Sequence, residues 1–170
     1  MIGRSMLLVL FVLACNDPVL SAEQDALGPE DPNVPRGELH RPGQPCLVCH
    51  DDFAIAGTIY HADLTTAYEG ATVTLIDAAG STFQTTANSA GNFIIRKSDW
   101  QPVFPIGSYA PADAGPNGGV QGVVVYGDDP STTSVMNSHI GRDGSCASCH
   151  FGSGPTASSP GPVYVKEAQP

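Results

Sequence analysis

A chain of 170 residues with Asp+Glu 17 against Lys+Arg 7 has a formal net charge of −10. Such a surface repels phosphate backbones, which excludes nucleic acid as a partner. The length suits one domain with one core, and no acidic run is concentrated enough to mark a docking face.

Residues 1–14 predict an export signal: Arg4 precedes an unbroken apolar run from Met6 to Leu13, and Val12-Leu13-Ala14-Cys15 closes it with small residues before a cysteine. The run is too short to span a bilayer, which takes about 20 apolar residues. This resembles a bacterial lipoprotein signal, which implies cleavage before Cys15, lipid on Cys15, and a periplasmic or cell-surface protein anchored to a membrane. An ordinary secretory signal with an incidental cysteine is the other reading, and both export the chain. Residues 15–45 then read as a Pro-rich tether. Asp17-Pro18, Gly28-Pro29, Asp31-Pro32, Val34-Pro35 and Arg41-Pro42 break helical and strand periods alike, so no core is expected there.

A five-residue motif follows, Cys46-Leu47-Val48-Cys49-His50, and it returns as Cys146-Ala147-Ser148-Cys149-His150. Cysteines at this spacing add to the two vinyl groups of one haem, and the histidine after the second reaches the iron. The two motifs therefore predict two haem c groups held by Cys46, Cys49, His50, Cys146, Cys149 and His150. Export is the condition that haem c attachment requires.

Between the motifs the pattern has period two. Ile55–Tyr60, Ala71–Ile76, Thr82–Thr86 and Asn92–Arg96 are short β-branched and aromatic runs, Val120–Tyr126 supplies a late strand, and no amphipathic helix is evident. Asp77-Ala78-Ala79-Gly80 and Asn88-Ser89-Ala90-Gly91-Asn92 have the residues that tight turns need. The fold class is mainly β, an antiparallel immunoglobulin-like or prealbumin-like sandwich with a core over 54–127, flanked by two haem-binding loops. Gly57-Thr58-Ile59, Glu69–Leu75, Asp77–Gly80 and Thr85-Thr86 leading to Gly91-Asn92-Phe93 resemble the carboxypeptidase regulatory-like β-sandwich over residues 54–97. That likeness implies a scaffold without catalytic residues, with the haem motifs outside it.

The dihaem domain is expected to span 46–155, with 156–170 as a flexible tail. Residues 151–162 are rich in Gly, Ser and Pro and read as mobile, while Pro162-Val163-Tyr164-Val165 is apolar enough to pair with a sheet edge.

Of five histidines, three remain once His50 and His150 are assigned to iron. His40 stands six residues before Cys46 and His139 seven before Cys146. An extended segment of this length spans roughly 20 Å, so either can reach the distal side of its own haem or of the other. His40 and His139 are the candidate distal ligands. His61 opens a turn and reads as a surface residue, and Met136 is either a thioether ligand or a gap filler. Imidazole on both sides closes the iron to exogenous ligands and suits it to electron transfer.

The whole resembles a small dihaem cytochrome c, which implies electron exchange with redox protein partners and no enzymatic activity. Two other classes compete: a small haem peroxidase-like enzyme, although no Arg or Glu cluster stands beside either motif, and a non-haem module stapled by disulfides or zinc. Haems at opposite ends of the sandwich would be separated by a seven-residue strand, about 23 Å. Self-association that stacks haems end to end, with a histidine donated across the contact, would then bridge the gap.

Overall fold

The computed structural model describes residues 17–34, 36–107, 124–127, 133–136 and 138–166. Cys15 and the signal, the first half of the late strand at 120–123 and the last four residues lie outside them.

The described chain is mainly sheet, with one helix, α1 (Pro18–Ala26), and seven strands: β1 (Phe53–Tyr60), β2 (Thr72–Ile76), β3 (Thr82–Thr86), β4 (Asn92–Arg96), β5 (Val124–Tyr126), β6 (Ser134–Val135) and β7 (Val163–Tyr164). They form two sheets, ordered β4-β1-β7 and β3-β2-β5-β6. The second sheet is antiparallel throughout. In the first, β1 runs antiparallel to β4 and parallel to β7. The first four expected runs are β1 to β4, and the apolar segment at Pro162–Val165 pairs with a sheet edge as β7, opposite Ile59 and Tyr60.

The two sheets share one core. Ile55, Ile59, Phe93 and Ile95 come from the first, Val73, Leu75 and Val125 from the second, and Ile106, Ile140 and Val165 close the ends. In β2 the burial alternates, so Val73 and Leu75 point inward while the threonines between them do not, which is what a strand with one covered face requires. The turn into β4 needs glycine: Gly91 has φ +73, and a Cβ there would lie 2.4 Å from the carbonyl oxygen of Ile59.

The β1/β4 pairing decides what each face of the first sheet presents. Phe53 lies opposite Arg96, a register shift follows, and then Ile55, Ala56, Gly57 and Thr58 face Ile95, Ile94, Phe93 and Asn92. The extra residue reverses the phase of the strand. Phe53, Ala56, Thr58, Asn92, Ile94 and Arg96 therefore share the outer face, and Ile55, Gly57, Ile59, Phe93 and Ile95 share the core face.

Three expectations are corrected. Asp17-Pro18, expected to break a helix, starts one: the Asp17 carboxylate accepts the N–H groups of Val19 (2.9 Å) and Leu20 (3.3 Å), and Pro18 occupies the first position, where a missing N–H costs nothing. No residue of α1 is buried, so it lacks the apolar stripe that makes a helix legible in sequence. The stretch after α1, read as tether, lies on the outer face of the first sheet. Glu38 and His40 give their carbonyls to the Asn92 amide (3.1 and 3.2 Å), and Gly43 donates its N–H to Thr58 Oγ1 (2.7 Å). Nor is the segment after the second motif loose. Ser159, 3% exposed, accepts the N–H groups of Phe151 (2.9 Å) and Gly161 (3.1 Å) and lies within hydrogen-bonding distance of the Cys149 and Phe151 carbonyls.

Candidate functional site

Both CxxCH motifs fold into the same 3-10 turn, Cys46–Val48 and Cys146–Ser148. In the first, the carbonyl of Cys46 accepts the N–H groups of Cys49 (3.2 Å) and His50 (3.1 Å); in the second, that of Cys146 accepts Cys149 (3.2 Å) and His150 (2.8 Å). One helical turn puts residues i, i+3 and i+4 on one side. Two thiols and an imidazole thus leave each turn together, and the two residues between the cysteines are turned away.

Each turn opens on its own cleft. The first, of about 480 Å³, is lined by Cys46, Cys49, His50 and Phe53 and also by His40. The second, of about 290 Å³, is lined by Cys146, Cys149 and His150 and also by His139 and Met136. These volumes are of the size that small-molecule and cofactor sites take. The wall of the first cleft includes Asn92, Ile94 and Arg96 from the outer face, while that of the second includes Ile59 and Phe93 from the core face.

The histidines of the first cleft are held in place. The His50 ring stacks on Phe53 with centroids 4.4 Å apart and planes 4° apart, and its Nδ1 lies 4.0 Å from the Asp52 carboxylate. His40 stands over it with centroids 5.7 Å apart at 56°, its own Nδ1 against the carbonyl of Gly37. In the second cleft His150 Nδ1 meets the carbonyl of Gly161 at 2.8 Å. A carbonyl only accepts, so Nδ1 carries the proton in such pairs and Nε2 is left to bind metal, the arrangement usual for metal-bound histidine. Two imidazoles on one metal, each bonded at about 2 Å, have centroids about 4.5–6 Å apart depending on the angle between them. The His40–His50 spacing lies within that range.

The other candidates are placed as follows. His139 is exposed where it lines the second cleft, and Met136 both lines that cleft and packs against the core. His61 lines neither cleft and stacks on Tyr68, with centroids 4.2 Å apart. Cys15 lies outside the described residues.

The donor set and its surroundings fit a covalent haem. Cys46, Cys49, Cys146 and Cys149 are all free thiols. Among the described residues no three His, Cys, Asp or Glu side chains are grouped as around one metal ion. Burial, and after it the neighbouring Cys46 thiol and Asp143, push the Cys146 thiol up to about 12, and burial raises Cys46. The hydroxyl of Ser145, in the wall of the second cleft, is buried without a partner, a polar group that an occupant would satisfy.

Cations concentrate at the same places. Arg36, Arg41 and Arg96 line the first cleft and Lys166 the second, in a chain with only seven Lys and Arg. They suit a ligand that carries carboxylates. Arg96 already pairs with Asp52 and Glu38, Arg36 with Glu30, and Arg41 with Gln44 and the carbonyls of Leu27 and Gly28. The sequence showed no Arg or Glu cluster beside either motif, and the fold gathers Glu30, Arg36, Glu38, Arg41 and Arg96 around the first. Arg96 is 46 residues beyond His50 in sequence, and only the β1/β4 pairing brings it there. Ser159 and Gly161, which fix His150, were missed because they sit in a segment whose composition reads as loop; the Pro160-Gly161-Pro162 turn was their one signal.

The two motifs are also neighbours, a spacing that the sequence left open. Each 3-10 turn packs on β1. The N–H of Ala56 bonds to Gly144 O (3.2 Å), and Ala56 bridges Ser145, just before Cys146.

Comparison with protein-family models, with curated proteins and with solved structures gave no match.

Proposed function

We propose that this chain is an electron-transfer dihaem cytochrome c, exported and anchored through lipid on Cys15 at the periplasmic or cell-surface side of a membrane, with redox proteins as partners. The scaffold in this reading is an immunoglobulin-like or prealbumin-like sandwich. A haem iron supplies reversible one-electron chemistry. The chain's residues attach it (Cys46 and Cys49, Cys146 and Cys149), ligate it (His50 and His150), and close its distal side (His40 and His139). The observation that carries the reading is that each CxxCH turn opens on a cleft whose wall includes one further histidine.

The test has two parts. Intact mass should exceed the mature polypeptide by two haems, and Cys146→Ala with Cys149→Ala should remove one of them; a mass equal to the bare chain sinks the reading. Reduced wild type should not bind carbon monoxide, while His40→Ala and His139→Ala should each open one iron to it with both haems still attached.

A second reading draws on the Arg and Glu residues in the first cleft. Polar groups of this kind assist O–O cleavage at a haem with an exchangeable position. That peroxidase-like alternative requires wild type to bind carbon monoxide at the first haem. The ion pairs that already occupy Arg36 and Arg96 favour electron transfer over it.

A further inference from the structure

We infer that β1 is a spacer that holds the two haem-attachment segments on opposite faces of one strand, close enough for electron exchange between them within a single chain. The inference rests on the dihaem reading and replaces end-to-end stacking of protomers as the route between haems.

Three contacts carry it. The stretch Ala54–Gly57 holds two alanines and a glycine, and the small ones are where the motifs touch the strand. A Cβ on Gly57 would lie 2.7 Å from Cys146 Sγ, 2.8 Å from Cys146 Cβ and 2.9 Å from Phe93 Cε1, so the second turn rests against the bare Cα on the core face. Beside it, Gly144 runs along the edge of β1 with φ +62; a Cβ there would lie 2.2 Å from Ala54 O and 2.8 Å from Leu47 Cδ2. Leu47 belongs to the first motif. The first attachment segment thus reaches the chain just ahead of the second, and the bridge from Ala56 to Ser145 locks both to the strand. The influence of the Cys46 thiol on Cys146 agrees with that proximity.

The clefts then diverge. The first is walled by outer-face residues of the β4-β1 pair and the second by core-face residues of the same pair. The two attachment segments meet through Leu47 and Gly144, where a Cβ on the glycine would lie 2.8 Å from Leu47 Cδ2, against about 23 Å along a seven-residue strand. An exchange over this separation oxidises one iron and reduces the other, with no bond broken and no proton moved. Any larger residue at Gly57 would push the second turn off the strand, which explains why the position is glycine in a strand interior that otherwise disfavours it.

The experiment is circular dichroism in the Soret region on the holoprotein, at a dilution where sedimentation shows a monomer. Two haems held near each other in one chain should give a couplet of opposite-signed bands whose molar amplitude does not change on tenfold dilution. Cys146→Ala with Cys149→Ala should abolish the couplet. Gly57→Ala should cut its amplitude at least twofold while mass still shows two haems, and Leu47→Ala, which only trims the contact to Gly144, should cut it less. If Gly57→Ala fails to fold, Leu47→Ala carries this arm alone, and an unchanged couplet in it overturns the spacer role of the Leu47–Gly144 contact. A wild-type protein with two haems by mass and no couplet overturns the inference and leaves the dihaem reading standing. A couplet that fades on dilution also overturns it, in favour of contact between molecules.

Discussion

Asn92 is the residue on which the His40 loop depends. It is buried on the outer face, where its amide nitrogen donates to the carbonyls of Glu38 (3.1 Å) and His40 (3.2 Å) and its amide oxygen accepts from Thr58 Oγ1 (2.7 Å). Thr58 Oγ1 in turn accepts the N–H of Gly43. Asn92→Ala removes three hydrogen bonds, each worth about 1 kcal/mol net, and leaves the partly buried carbonyl of His40 without this donor, so about 2–4 kcal/mol of stability should go. Asn88 Nδ2 still holds Glu38 O at 2.8 Å. The loop should therefore loosen rather than detach. Because the loop presents His40 to His50, its loosening should open the first iron: reduced Asn92→Ala should bind carbon monoxide at one haem, with both haems covalently retained by mass. Asn92→Asp keeps the acceptor for Thr58 but turns a buried carboxylate oxygen toward the carbonyls of Glu38 and His40, so it should open the iron with a loss in urea midpoint at least as large. The reasoning is refuted if Asn92→Ala loses stability as expected and yet excludes carbon monoxide as wild type does, while His40→Ala admits it. The loop would then be held by something other than Asn92.

Three further outcomes are expected. In protein produced without haem, a Cys146 thiol held near 12 against an ordinary 9.0 keeps its proton in the folded state while the unfolded chain loses it; stability should then fall between about pH 9 and 12 by about 1.4 kcal/mol per pH unit relative to Cys146→Ser, and the fall should vanish once that sulfur is a thioether. Phe93→Ala should cost about 3–5 kcal/mol by urea denaturation, because a fully buried ring of the shared core also walls the second cleft. Wild type should partition with membranes, and Cys15→Ser should leave the protein unlipidated; wild type recovered soluble and cut elsewhere would make Cys15 incidental.

Strand periodicity was legible because it depends on neighbours in sequence. Thr-Val-Thr-Leu-Ile at 72–76 alternates, and its register with 82–86 follows from the short turn at Asp77–Gly80. Strand β6, two residues long, offers no period to detect. Helix α1 escaped because Asp17-Pro18 fits both a turn and a helix start, and no apolar stripe tips the balance. The attachment residues were legible for a similar reason, since CxxCH is a local pattern whose chemistry depends only on its own spacing. The cleft walls were not. Arg96 and Asn92 reach the first cleft through the pairing of β1 with β4, and Pro160 and Pro162 reach the second through a turn that composition presents as loose.

The separation of the two attachment sites shows most clearly what a linear reading leaves out. Ninety-five residues lie between the motifs, and the sequence left their spacing open, with a strand as the natural ruler of such a fold only if they stand at opposite ends. The chain instead returns to its own first strand, and the return is possible only where side chains are absent. Nothing in the sequence marks Gly144, and Gly57 stands out there only as part of a module likeness, yet each stands where a Cβ would strike the other segment or its support. A register shift at Phe53–Ile55 then sends the wall of one cleft outward and that of the other inward. Two glycines and one extra residue in β1 thus convert two separate motifs into neighbouring sites on either side of a single strand.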